Sequence, residues 1–215
     1  MNRTLLPFFA SLVLVAASAN AQIINEFLAD PAATAPDGDA NGDGIRDGSA
    51  DEFIEIYNDT ALPLDISGWT IEDAFTKTDP NSSRHTFPPN TIVAASCAII
   101  VFGGGTPTGS FGQAMVQTSS NGFLGLNNGG DEIILTSDGT TVVTSHTYGA
   151  EGSNNQSLTR DPDFTGTFVL HSAATGSGGA LFSPGIHIDA GLFAGCSTVA
   201  IEESSWGTVK ELYRN

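Results

Sequence analysis

The chain has 215 residues, and 24 acidic residues against 7 lysines and arginines give a formal net charge of −17 at pH 7. This charge excludes a phosphate-neutralising surface, so we expect no nucleic-acid partner. Frequent glycine, with short runs of Val, Ile, Thr and Phe between turn-forming residues, predicts an all-β chain rather than long helices.

The first 21 residues have the pattern of an export signal. Arg3 gives a positive start, Leu5 to Ala17 is apolar, and Ala19-Asn20-Ala21 fits the small-x-small rule for cleavage. The apolar run is shorter than the ~20 residues that a membrane span needs. We therefore expect a mature chain that begins at Gln22, is secreted or held at the cell surface, and has no transmembrane span.

Two apolar strands that each contain a glutamate come next, over Ile23–Ala29 and Glu52–Asn58. Glu26 and Glu55 sit inside these strands, and a buried carboxylate needs hydrogen-bond partners. We expect backbone amides or arginine side chains to supply them across the fold. An acid/base pair is the alternative interpretation.

The loop between the two strands has side-chain oxygens at alternate positions, which is typical of calcium loops. Asp39, Asn41, Asp43 and Gly44 match the first half of the helix-loop-helix calcium template, but Ala50 stands where its bidentate glutamate belongs. A register that begins at Asp37 fails at the same end. The predicted ligands of a weak calcium site are Asp37, Asp39, Asn41, Asp43, Asp47 and Asp51. The alternative is a solvated acidic turn, because Asp, Asn and Gly also dominate turns for conformational reasons.

The rest of the chain reads as short strands separated by turns. Ser137-Asp138-Gly139-Thr140 lies between two apolar runs and predicts a hairpin. Many short strands with regular turns predict a sandwich or a barrel. The further predicted strands are Leu64–Asp73, His85–Phe87, Thr91–Ala94, Cys97–Phe102, Ala114–Thr118, Phe123–Leu126, Glu132–Thr136, Val142–Tyr148, Ser157–Arg160 and Phe168–His171.

The mature chain divides into three predicted regions: a β-sandwich domain over 22–186, a linker over 187–204 and a short C-terminal segment over 205–215. Cys97 and Cys196 are the two cysteines. In an exported protein they can form a disulfide that fastens the extension to the domain, or they can remain separate thiols.

The last segment, over 205–215, has capping-box spacing and one apolar helical face. It is either a helix that packs on the domain or a sorting or attachment signal.

We find no catalytic motif. None of the four histidines has zinc-protease spacing, there is no Gly-x-Ser-x-Gly elbow, and no phosphate-binding helix pattern follows Gly103–Gly105. We expect no catalytic residue, no cofactor-binding residue and no enzyme activity. We expect Trp69 to lie in the core. We expect His85 to lie at the end of a strand and to pack against Phe87.

Nine segments are informative when they are taken together: Asn25–Asp30, the Asp-rich loop, Asp51–Asn58, Leu64–Asp73, His85–Pro88, Val101–Gly105, Leu124–Asn128, Gly130–Asp131 and Phe182–Gly185. They resemble a bacterial lamin tail domain, over about Gln22 to Ile186. The resemblance implies an immunoglobulin-like β-sandwich that is exported and serves for interaction or attachment without catalytic residues. The immunoglobulin order Cys…Trp…Cys is missing, because Trp69 precedes both cysteines, so the likeness is to the architecture alone.

The function that we expect is an exported, non-catalytic β-sandwich module with a short C-terminal extension, which binds or attaches at the cell surface and is stabilised by calcium. Its partner would be a cell-surface or extracellular component. Two alternatives stay open: an accessory or degenerate domain of an extracellular hydrolase system, and a structural component of a surface layer.

Overall fold

The computed structural model describes residues 22–78 and 82–196. The predicted signal peptide and the predicted segment over 205–215 lie outside the described residues. The strands of the described part are β1 (Gln22–Leu28), β2 (Phe53–Asn58), β3 (Leu64–Asp65), β4 (Thr70–Glu72), β5 (His85–Thr86), β6 (Ile92–Val93), β7 (Ala98–Phe102), β8 (Met115–Thr118), β9 (Asp131–Thr136), β10 (Val142–Tyr148), β11 (Leu158–Asp161) and β12 (Thr167–Leu170). Short 3-10 turns lie at Thr76–Thr78, Phe111–Gln113, Ala150–Gly152 and His171–Ala173.

Most strands belong to two sheets. A six-stranded sheet has the order β12-β11-β1-β2-β7-β8, and a four-stranded sheet has the order β10-β9-β4-β5, with β3 and β6 forming a separate pair. The pairs are antiparallel except β7 with β8. The prediction of an all-β sandwich is confirmed. Among the residues that the structure describes, no helix is long and apolar enough to cross a membrane.

The main core lies between the two sheets. In β2, alternate side chains point to opposite faces, as strand geometry requires. Ile54 and Ile56 join the central cluster with Ile71 and Leu135 of the other sheet, and Trp69 packs against it from the side. Phe53, Glu55 and Tyr57 therefore face away from this core, onto the outer face of the six-stranded sheet.

The outer face of the six-stranded sheet is covered by the C-terminal part of the described chain. We call residues 180–196 the strap. Phe182 packs against the apolar cluster that contains Phe53 and Phe102, and Phe193 is fully buried beside Tyr57. The predicted linker over 187–204 is described only as far as Cys196, and that part is packed on the sheet.

A disulfide joins the end of the strap to the start of β7. Cys97 and Cys196 are bonded at an S–S distance of 2.03 Å, across a sequence separation of 99 residues. Of the two states that the sequence leaves open for these cysteines, the structure has the bridge. The folded unit therefore extends at least to Cys196.

Two predicted strands differ from the structure. The run Leu64–Asp73 is broken by a turn, in which Gly68 has a φ of +78°, so β3 and β4 belong to different sheets. The run Phe123–Leu126 is not a strand. Its amides at Gly125 and Leu126 donate to the carboxylate of Glu52 instead of to a neighbouring strand.

The predicted hairpin is confirmed between β9 and β10. Asp138 Oδ1 accepts the amides of Thr140 and Thr141 at 2.9 and 2.5 Å, and Gly139 has a φ of +75°. These hydrogen bonds lower the pKa of Asp138 to about 2.

Candidate functional site

The Asp-rich loop connects β1 to β2 and is built around Asp51 and Asn41. Asp51 is fully buried, and its two oxygens accept the amides of Asn41 at 3.1 Å and Asp47 at 2.7 Å. The side chain of Asn41 accepts the amide of Asp43 at 3.0 Å and donates to the Gly104 carbonyl at 3.3 Å. These bonds fasten the loop to the segment that follows β7.

Three of the other four predicted calcium ligands also bind backbone amides. Asp43 accepts from Ile45 at 2.8 Å and from Thr106 at 3.0 Å. Asp39 Oδ2 accepts from Gly44, and Asp47 Oδ1 accepts from Ser49 and Ala50, each at 2.9 Å. Asp37 is exposed at the loop surface. Five of the six predicted ligands therefore belong to one hydrogen-bonded network.

One oxygen of this network has no hydrogen-bond partner among the described residues. Asp39 Oδ1 is buried and unpaired. Burial raises the pKa of Asp51, and the charges of Asp39 and Asp43 add to that rise. In contrast, the amides of Ala50 and Ser49 lower the pKa of Asp47. Like charges are thus close enough to repel one another in this loop.

Within residues 22–78 and 82–196, no three His, Cys, Asp or Glu side chains are arranged to hold a metal ion. The donor types nevertheless suit calcium, because all are hard oxygens on one loop. The unpaired Asp39 Oδ1 and the repulsion at Asp51 are features that a cation would relieve. Calcium ligation by this loop stays a prediction.

A second polar centre lies under the strap. Glu26 and Glu55 are cross-strand partners of β1 and β2, and both are fully buried. Glu26 accepts from the hydroxyl groups of Ser157 at 2.6 Å and Ser183 at 2.9 Å. Glu55 accepts from the side-chain amide of Asn25 at 2.9 Å and from the Gly185 amide at 2.6 Å. The prediction that Glu26 and Glu55 bind backbone amides is confirmed, although arginine is not among the partners described here.

Burial dominates the electrostatics of this pair. Burial raises the pKa of Glu26, and the charge of His171 opposes this rise. Burial also raises the pKa of Glu55 well above its ordinary value, and the charge of Glu26 adds to that rise. When two carboxyl groups share a site from which water is excluded, ionising both of them costs much free energy. Because no substrate can reach fully buried groups, the pair is suited to holding the strap rather than to acid/base chemistry.

Glu52 is a further buried carboxyl group, and no sequence pattern singled it out. Glu52 is 5% exposed, and burial raises its pKa to about 8, although the amides of Leu126 and Gly125 oppose the rise. The Tyr148 hydroxyl is buried without a hydrogen-bond partner in the described part of the chain. Nothing in the sequence near Glu52 marks it as buried, because its burial depends on a distant segment that is not a strand.

The histidines have separate local environments. His85 lies at the end of a strand with its ring 4.6 Å from that of Phe87, as expected, and it hydrogen-bonds Gln117 at 2.9 Å. Burial lowers the pKa of His85. His146 lies against the ring of Phe168. His171 hydrogen-bonds the hydroxyl group of Ser183, and His187 hydrogen-bonds the carboxylate of Asp163. These contacts serve packing and positioning of loops.

Comparison with known proteins gives one family. A family model described as Lamin Tail Domain matches residues 16–150, which is more than half of the chain. No curated protein matches the chain. The match ends before β11, so the last two strands and the strap lie beyond it. With its immunoglobulin-like β-sandwich and this match, the chain belongs to the lamin tail domain family.

Proposed function

We propose that this protein is an exported, non-catalytic β-sandwich module that binds or attaches at the cell surface. The observation that carries the proposal is that the buried carboxyl groups hydrogen-bond to other parts of the fold. Glu26, Glu52, Asp51 and Glu55 are all bound to amides or hydroxyl groups of the fold itself. Groups used in this way stabilise loops and strands, which suits a module that binds rather than one that reacts.

Export is supported by two independent features. The first 21 residues have the pattern of a signal peptide, and Cys97 is bonded to Cys196. Disulfides persist in oxidising compartments and are rare in the cytosol. A secreted or surface location accounts for both features.

Cell fractionation tests the attachment. The full chain and a chain that ends at Ser204 would be expressed with the signal intact, and each would be quantified in the medium and the envelope. We expect the full chain in the envelope and the shortened chain in the medium. Equal distribution of the two would show that residues 205–215 do not attach the protein. A pull-down against envelope polysaccharide would then identify binding by the sandwich itself.

Calcium is proposed as a stabiliser of the Asp-rich loop. Asp39, Asp43 and Asp47 would supply carboxylate oxygens, together with Asp37 and the side-chain carbonyl of Asn41. Burial raises the pKa of Asp51, and a bound cation would offset the repulsion by Asp39 and Asp43 that adds to this rise. The affinity expected for a site without the bidentate glutamate is weak, at a Kd of about 10⁻³ M.

Thermal melting tests the calcium proposal. At 10-fold excess over Kd, a ligand that binds only the folded state adds about 1.4 kcal/mol. For a chain of this size we expect 10 mM calcium to raise the Tm by about 3–5 °C over the value in chelator. The measurement is calorimetry in calcium and in chelator at constant ionic strength.

Asp39→Asn is the matched variant, because it removes one charge and keeps the acceptor of the Gly44 amide. Its Tm should not respond to calcium. An unchanged Tm of the natural chain in millimolar calcium would rule out the site, and an equal response to magnesium would point to screening of charge.

A further inference from the structure

The strap lies on the outer face of the six-stranded sheet as a bound peptide lies on a receptor. Its segment Phe182-Ser183-Pro184-Gly185 crosses β1 and β2, where Ser183, Pro184 and Gly185 are buried. Phe182 packs into the apolar cluster that contains Phe53 and Phe102. Each residue that receives this segment belongs to the body of the domain.

Ser183 makes three hydrogen bonds to Glu26 and His171. Its amide donates to Glu26 Oε1 and its hydroxyl donates to Glu26 Oε2, both at 2.9 Å. His171 Nε2 lies 2.8 Å from the same hydroxyl, and the other ring nitrogen lies 2.8 Å from the Ala180 carbonyl. Because Glu26 is fully buried, a side chain without a hydroxyl would leave one carboxylate oxygen short of a donor.

Gly185 is recognised both by a hydrogen bond and by shape. Its amide donates to Glu55 Oε2 at 2.6 Å. Its φ is +86°, and a Cβ added there would lie 2.1 Å from the Phe111 carbonyl oxygen. The close approach of Phe111 therefore admits only glycine at this position.

The segment that connects the strap to the rest of the domain is short and has small side chains. Residues Ala174 to Gly179 carry no side chain larger than threonine, and Gly176, Gly178 and Gly179 have positive φ. The contacts of the strap do not depend on which chain supplies it, because a second copy has the same Glu26, Glu55 and Phe111. Exchange of an identical element between copies is a low-cost route to a dimer.

We propose that the outer face of the six-stranded sheet is a recognition site for a Phe-Ser-Pro-Gly segment, and that the strap of a second copy of this chain can fill it in place of the chain's own strap. This inference goes beyond the proposed function and does not depend on it. The tethered strap has an effective concentration in the millimolar range, so the second copy competes only at high protein concentration and before the bridge between Cys97 and Cys196 closes.

Two single-cysteine variants of the full chain test strap exchange. Cys97→Ser keeps Cys196 on its strap, and Cys196→Ser keeps Cys97 on its sheet, so neither can form the internal bridge. The two are mixed in denaturant, refolded together at about 0.5 mM, near the effective concentration of the tethered strap. Oxidised glutathione is then added, and it is reduced to two thiols as Cys97 and Cys196 are oxidised to one disulfide.

We expect a covalent heterodimer on a non-reducing gel, with a Cys97–Cys196 peptide pair in its digest. Its yield should exceed that of dimers from either variant alone by at least tenfold. A yield no higher than these single-variant dimers overturns the proposal.

Recognition is tested by adding Gly185→Ala or Ser183→Ala to the strap donor, Cys97→Ser. We expect Gly185→Ala to reduce the heterodimer at least tenfold and the milder Ser183→Ala to reduce it severalfold. Ser183→Ala keeps the backbone conformation, so it tests recognition even if Gly185→Ala does not fold. Unchanged yields with Ser183→Ala would show that the cysteines meet by collision, and the proposal would then be wrong.

Discussion

At the scale of single residues, the main feature of this sandwich is a set of buried carboxyl groups that hydrogen-bond to distant segments of the chain. Glu26 and Glu55 could be identified from the sequence, since each interrupts an apolar strand and must then find hydrogen-bond partners. The particular partners could not be predicted, because Ser183 and Gly185 lie 157 and 130 residues away. Glu52 was missed altogether, since its burial depends on the loop that contains Gly125.

Glu52 should make the stability depend on pH. Its folded pKa of about 8 exceeds its ordinary value of 4.5, so its contribution is fully present below pH 4.5 and is lost as the pH rises through about 8. The difference between the two values corresponds to a loss of up to about 5 kcal/mol. We expect the free energy of unfolding, measured with denaturant, to fall between pH 5 and pH 8.

Glu52→Gln is the control for this prediction, because its side-chain oxygen can still accept the amides of Gly125 and Leu126. In this variant the fall between pH 5 and pH 8 should be several kcal/mol smaller. The remaining fall would come from Glu26 and Glu55, whose pKa values are raised in the same direction. If the variant keeps the full pH dependence, Glu52 does not titrate in this range.

At the scale of elements, the strands were predictable and their partners were not. Short apolar runs located β2 and β7 to within a residue of their observed bounds. Phe123–Leu126 has the composition of a strand, yet its amides bind a carboxylate, because Glu52 supplies the acceptor that a strand would otherwise supply. The Asp-rich loop was recognised as a unit, but sequence could not reveal that its carboxylates bind its own amides.

Asp51 should be the most sensitive position of that loop. Asp51→Ala removes the acceptor of two amides, those of Asn41 and Asp47. Unpaired buried amides cost about 1–3 kcal/mol each, so we expect a loss of about 2–6 kcal/mol in the free energy of unfolding. Chemical denaturation in chelator measures it without any contribution from calcium.

Asp51→Asn provides the comparison, since it keeps one acceptor and removes the charge. Its loss should be smaller than that of Asp51→Ala. Equal losses would mean that the charge of Asp51, rather than its two hydrogen bonds, holds the loop.

At the scale of the whole molecule, the folded unit is larger than the segment that the family model matches. β11 pairs with β1, and the strap covers Glu26 and Glu55. The sequence indicated an extension after residue 186 but placed it outside the domain, because glycine-rich, polar segments resemble linkers. The buried Phe193 and the disulfide are long-range features that no local pattern shows.

A chain that ends at residue 150, where the family match ends, should not fold. It would uncover Phe53, Phe102 and Tyr57 on the outer face of the six-stranded sheet, and it would remove the Ser157, Ser183 and Gly185 donors of Glu26 and Glu55. We expect it to bind hydrophobic dyes and to lack a cooperative melting transition. The control is a chain that ends at Ser197, which should melt within a few degrees of the full protein. A cooperative transition in the shorter chain would show that β11, β12 and the strap are dispensable.

The bridge between Cys97 and Cys196 also decides how the molecule bears mechanical load. Tension that enters through the residues after Cys196 passes directly to Cys97 and into β7, one of the inner strands of the six-stranded sheet. The strap lies between these two points in sequence but outside the path of the force. In a reducing environment the same tension would instead peel Phe193, Gly185 and Ser183 from the sheet in turn. The disulfide therefore determines whether a pull at the C-terminal side is resisted by a sheet or by a peptide.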